Sequence, residues 1–267
     1  MDNKIMILAA VVTVSGCTHM TGPLTPPSGP SGSGLQVETL DISDGTVSSG
    51  QTALITLELK NYHRQEINID DISLYNTGIL ETEKQGCNPP PARLETARKD
   101  YIPEMRCRWT LQVPEEEVEN FNSKMVPVKL NLAYRSQLSN SEEPIKLHFQ
   151  PLEDIEQKNE LTKTFSNEEV RLQIKTESPI QLEGSTATIT ANNAGNGRVD
   201  SDYSFEYSPS TVFPDCPQQK EPLINQEVEF ACSIDPQTDS SLTRNLIVST
   251  SYKYVKEPTI DVEVVNR

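Results

Sequence analysis

Through most of the chain the hydrophobic positions recur at every second residue. Around Cys107, residues Cys107, Trp109, Leu111 and Val113 share one face, and Arg106, Arg108, Thr110 and Gln112 share the other. Ala53, Ile55, Leu57 and Leu59 oppose Leu54, Thr56, Glu58 and Lys60 in the same way. Phe230, Cys232 and Ile234 oppose Glu229, Ala231 and Ser233, and Ile145, Leu147 and Phe149 oppose Lys146, His148 and Gln150. A period of two with one apolar and one polar face predicts antiparallel strands packed on one side and wetted on the other. Many short strands punctuated by Gly, Pro and Asn predict an all-β chain of sandwich type.

The strands come in two sets. Gly50–Thr56 reads GQTALIT and Gly184–Thr190 reads GSTATIT, identical at five of seven positions. Each copy continues through an Asn-containing stretch (Asn61; Asn192-Asn193), a cysteine in a Pro-rich loop (Cys87; Cys216) and a second cysteine inside a strand (Cys107; Cys232). Each then runs through a β-rich stretch ending in tyrosine (Val126–Tyr134; Leu246–Tyr254) and closes on Glu-Pro plus a short strand (Glu143-Pro144; Glu257-Pro258). Two tandem antiparallel sandwiches are expected, over 35–150 and 168–267. The polar segment 151–167 reads as a linker with room for a short helix, and 115–124 as a loop or one or two helical turns.

Charge and length narrow the function. The 267 residues carry a formal net charge of −16, and such an acidic surface repels phosphate, which argues against nucleic acid as a partner. The length fits one large domain or two ordinary ones.

The N-terminus carries a different signal. Lys4 precedes an apolar run from Ile5 to Val14, then Ser15-Gly16-Cys17. That run is about half the length needed to span hydrocarbon, and small residues before a cut site fit a secretory signal peptide. The string Val14-Ser15-Gly16-Cys17 resembles the lipobox of exported prokaryotic lipoproteins. The resemblance implies removal of 1–16 and a lipid on Cys17. Residues 17–34, rich in Pro, Gly and Ser, then read as a flexible tether of about 20–30 Å reach.

Four cysteines remain, two per repeat at matching places. The economical pairing is Cys87–Cys107 and Cys216–Cys232. Each bridge would close a loop of roughly 15–20 residues, about 3 kcal/mol in the chain-entropy account. The spacing lacks the CxxC or His cluster of a zinc site, and no cysteine sits beside a His. Oxidised cysteines agree with export.

The tandem units resemble the immunoglobulin-like domains of prokaryotic surface proteins, including the cell-adhesion-related (CARDB-like) type of archaeal exported proteins. The residues carrying this are Thr188–Asn196 (TITANNAGN) and Tyr252-Lys253-Tyr254; the first copy departs, with Asn61-Tyr62 where an Asn-x-Gly belongs. The resemblance implies a spacer, adhesion or assembly module without catalysis or cofactor, held at the cell surface and meeting an unidentified envelope protein or polysaccharide.

Candidate chemistry is sparse. Arg93, Arg98, Lys99, Arg106 and Arg108 form a basic stretch around the first cysteine pair, a candidate partner-binding region. Asp200 and Asp202 are a weak calcium candidate. His19, His63 and His148 read as solvated surface, and Tyr134, Tyr252 and Tyr254 as core. A polysaccharide- or calcium-binding module is the alternative reading. An envelope hydrolase assembled from scattered residues is a remote one.

Overall fold

The computed structural model describes residues 34–115, 122–237 and 239–266. The expected signal peptide, Cys17, His19 and nearly all of the tether lie outside the described residues, as does most of the 115–124 insert.

Among the described residues the first half forms nine strands: β1 (Leu35–Ile42), β2 (Thr46–Ser48), β3 (Thr52–Asn61), β4 (Ile67–Tyr75), β5 (Glu81–Asn88), β6 (Arg93–Leu94), β7 (Glu104–Gln112), β8 (Ser123–Ser139) and β9 (Ile145–Gln150). The second forms β10 (Asn159–Ser166), β11 (Val170–Ser178), β12 (Ile180–Gln181), β13 (Ser185–Asn193), β14 (Arg198–Val199), β15 (Tyr203–Ser208), β16 (Gln219–Lys220), β17 (Glu227–Ile234), β18 (Leu242–Lys256) and β19 (Thr259–Val265). Each half is a β-sandwich of mainly antiparallel strands. One four-stranded sheet, in the order β1-β3-β7-β5, belongs to the first half, and another, β10-β11-β13-β17, to the second. Among the described residues an eleven-stranded sheet runs beneath both.

The alternation read from the sequence is the packing that results. Ala53, Ile55, Leu57 and Leu59 on β3, and Cys107, Trp109 and Leu111 on β7 with Val113 just beyond it, are buried. They share one core with Val126, Val128, Leu130 and Leu132 of β8, also buried. The two asparagine landmarks make one turn twice. Asn61 Oδ1 accepts from His63 N and its Nδ2 donates to Gln65 O; Asn193 Oδ1 accepts from Gly195 N and its Nδ2 donates to Gly197 O. A side chain that holds its own following backbone is what favours Asn at such corners.

The closing strands depart from the expected division. The alternation and the repeat predict 145–150 in the first sandwich and 259–265 in the second, yet each pairs with the other half. Strand β9 pairs antiparallel with Leu242–Leu246 of β18 and parallel with β12. Reciprocally, β19 pairs antiparallel with Ser123–Lys129 of β8 and parallel with β2. The cause lies in strand length and in one residue. Strands β8 and β18 run 17 and 15 residues, and they pair with each other from Leu132↔Lys256 to Ser139↔Ser249. When β8 ends it is already beside the second half. There Asn140, 2% exposed, docks on β18: its Nδ2 donates to Leu246 O at 3.0 Å, and its Oδ1 accepts from Val248 N at 2.6 Å. The chain therefore turns into the neighbour's sheet.

The segment expected as a linker is also structured. Leu152–Asp154 make a single 3₁₀ turn, and Asn159–Ser166 is strand β10, added to the edge of β11. Leu161 and Phe165, four apart on one face of the strand, are half-buried against the core, which suffices to seat an otherwise polar strand.

Candidate functional site

The densest polar cluster lies where the halves meet. Between β10 and β11 the chain turns on Asn167, whose Oδ1 accepts from Val170 N at 3.0 Å. The turn delivers Glu169 inward with 1% exposure. Glu169 Oε1 accepts from Tyr134 OH at 2.6 Å and Leu35 N at 3.3 Å, and lies 2.9 Å from His63 Nε2. Its Oε2 accepts from Tyr252 OH at 3.1 Å. Three of these donors come from the first half and one from the second. Lys256 Nζ donates to Leu35 O beside them, so the first strand of one half is held at both N–H and C=O by the other.

A carboxylate out of water needs such partners. Burial favours the neutral acid, but hydrogen bonds from His63 and Tyr134, with the nearby Lys256 charge, outweigh it and hold Glu169 below the usual glutamate range. Burial first, then the adjoining Glu169 charge, raises the Tyr134 and Tyr252 phenols well above the ordinary tyrosine value. Burial lowers Lys256.

Ser136, His63 and Glu169 superficially suggest a nucleophile, base and acid. However, Ser136 Oγ, at 3.5 Å, and Glu169 Oε1 both approach the same ring nitrogen, Nε2. A ring so held cannot pass a proton from one to the other, which requires both nitrogens. The chemistry this arrangement supplies is bridging.

A groove of about 980 Å³ opens beside the cluster, lined in part by Gln36, Glu168, Arg171, Asn196, Arg198 and Lys256. Arg198 is already engaged, 2.7 Å from Glu257 and 3.6 Å from Asp200.

The sequence-derived candidates fall as follows. Both disulfides form as paired in the sequence, Cys87–Cys107 and Cys216–Cys232, across separations of 20 and 16 residues. The basic stretch does not form one patch. Arg106 and Arg108 lie on the exposed face of β7, with Arg106 paired to Glu58 at 3.1 Å. Arg93 lies on β6 in the other sheet, 3.2 Å from Glu66, and Arg98 and Lys99 sit in the turn closed by Arg98 and Tyr101. Asp200 is 3.2 Å from Lys253, and no group of three His, Cys, Asp or Glu among the described residues is placed to hold a metal. His148 is exposed as expected, its Nδ1 2.9 Å from Thr243 Oγ1. His63 is not solvated: it is 6% exposed and its carboxylate partner stands 106 residues away. Tyr134, Tyr252 and Tyr254 are core residues, and their hydroxyls are hydrogen-bonded there. Sequence reasoning missed Glu169, Asn167 and Lys256. Glu168-Glu169-Val170 reads as the exposed start of a strand, and nothing local marks which glutamate turns inward.

The geometry defines an all-β protein of two joined sandwiches. No protein-family model and no curated protein matches the chain. Among solved structures it is similar to the secreted serine protease VesC from Vibrio cholerae, over 86% of this chain and 51% of that one, at 11% identity and a TM-score of 0.26. The chain thus spans about half the length of that protease. It is also similar to the collagen adhesin of S. aureus, over 86% of this chain and 92% of that one, at 10% identity and a TM-score of 0.20. At these values neither likeness carries a functional argument.

Proposed function

We propose that the chain is a non-catalytic spacer or assembly module outside the cytoplasm, held to a membrane by a lipid on Cys17. The observation that carries this reading is the reciprocal exchange of β9 and β19, together with the β8–β18 ladder. Two sandwiches built partly from each other's strands form a body without a hinge, suited to holding a partner at a set distance. The two disulfides agree with an oxidising compartment.

Membrane fractionation and non-reducing mass spectrometry of the wild type and Cys17→Ala test it. The wild type should be membrane-bound with four oxidised cysteines, and the variant should be released. A wild type that is unlipidated and carries free thiols would overturn the proposal. Spin labels at Glu83 and Glu206 should give one narrow distance distribution; a broad one would remove the spacer role.

A further inference from the structure

An uncovered strand edge offers its N–H and C=O groups to any extended chain, and stable proteins blunt such edges. Three of the four outer strands in the two four-stranded sheets are blunted. Strand β1 breaks register between Val37 and Thr39, and β5 between Lys84 and Gly86. Strand β17 is crossed by the Cys216–Cys232 bridge and by Leu223, whose N–H donates to Glu227 O. Strand β10 has neither a register break nor a covering segment among the described residues, and its guard is a single charge, Lys163, on the face of Leu161 and Phe165. It pairs with β11 in unbroken register from Asn159↔Ser178 to Ser166↔Arg171, and no strand among the described residues pairs with its other side.

The turn shows which groups are free. Asn167 N donates to Val170 O, so in an antiparallel ladder the residues bonded to β11 are Phe165, Lys163, Leu161 and Asn159. The backbone groups of Glu160, Thr162, Thr164 and Ser166 therefore point away from the sheet. The side chains complete the description. Leu161 and Phe165 are half-buried on the inner face, and between them Lys163 is exposed and makes no ion pair among the described residues. On the outer face Lys158 is paired with Glu177 at 3.1 Å and Lys175 with Glu160 at 2.8 Å, so Lys163 is the charge on β10 left without an ion pair among the described residues.

We propose that β10 is a docking edge for an extended segment of a partner polypeptide with the pattern apolar–x–acidic–x–apolar. Backbone hydrogen bonds from Glu160, Thr162 and Thr164 supply the affinity, and the side chains opposite Leu161, Lys163 and Phe165 supply the choice. The two apolar positions extend the half-covered core, and the acidic one meets Lys163. A second copy of this chain is ill-suited. The register that sets Leu161 against Phe165 also sets Lys163 against Lys163. This inference holds wherever the chain resides and does not rest on Cys17, so its failure leaves the spacer proposal standing.

The test uses fluorescence anisotropy with a labelled peptide of alternating threonine and valine carrying glutamate at its central valine position, and a matched peptide with lysine there. The full chain should bind the glutamate peptide at least tenfold more tightly than the lysine peptide. Lys163→Glu should reverse that preference. Thr162→Pro should abolish binding while the protein still melts cooperatively, because the lost N–H lies on the free side and proline is tolerated at a strand edge. Equal binding of both peptides, no binding of either, or undiminished binding by Thr162→Pro would overturn the proposal. So would a dimer of the chain alone that Thr162→Pro disperses.

Discussion

The two halves share a backbone plan but differ at the corner where they touch. After Asn61 the first half places His63, a buried side chain that reaches Glu169. After Asn193 the second half has Gly195, where a Cβ would come within 2.5 Å of Tyr254 Oη and 2.6 Å of Glu168 O. One half fills the corner with a side chain; the other must leave it empty because the chain carrying Glu168 and Glu169 passes through. Equivalent turns were kept and made to serve opposite roles in a joint. The disulfides differ in the same spirit. Cys87 bridges from a full strand, β5, whereas Cys216 bridges from a loop, and the second half instead gains β10 on its opposite edge.

The largest expected effect comes from ending the chain at Pro258. This removes β19 and with it Val262 and Val264, both fully buried, worth roughly 1.5–3 kcal/mol each. Hydrogen exchange should show protection lost in β2 and β8 of the first half while β11 and β13 stay protected. Loss confined to the second half would mean that the sandwiches are closed on themselves. Next is Glu169→Ala, which strands the donors of both halves and should cost about 3–5 kcal/mol in urea unfolding. Because the folded-state pKa of Glu169 lies below its ordinary value, its stabilisation is present above about pH 4.5 and is lost as pH falls through the lowered value. Melting curves from about pH 6 to about pH 3 should therefore fall less steeply in Glu169→Gln than in the wild type.

The corner itself can be sharpened by paired substitutions. Gly195→Ala should cost about 1–3 kcal/mol by overpacking, and His63→Ala about 1–3 kcal/mol by leaving Glu169 short of a partner. Gly45→Ala, with open space around its Cβ position, is the neutral control. Smallest of all is Arg106→Ala on exposed β7, where the ion pair to Glu58 should change stability by no more than about 0.5 kcal/mol.

Much of this architecture was legible from residue pattern. The alternation at Cys107–Val113 and at Ala53–Leu59 marked inward faces, and the repeat aligned the cysteines that bond. What failed to show was anything decided by partners distant in the chain. Whether Ile145–Gln150 returns to its own sandwich depends on how far β8 runs and on where Asn140 docks, and alternation says nothing about either. Strand β10 was hidden because only Leu161 and Phe165 mark its inner face. His63 looked solvated because Glu169, Tyr134 and Ser136 become its neighbours only after both halves have met. Part of the candidate site could be read as residue types, therefore, and almost none of it as geometry.

Leu35 sits at the seam, its N–H on Glu169 and its C=O on Lys256. Any tension transmitted along the polypeptide arriving at Gly34 is therefore delivered to the waist of the molecule, not to one tip. It is shared at once between β1, paired to β3, and the second sandwich, which grips the same residue from the other side. A body gripped at its middle resists being peeled open strand by strand from an end.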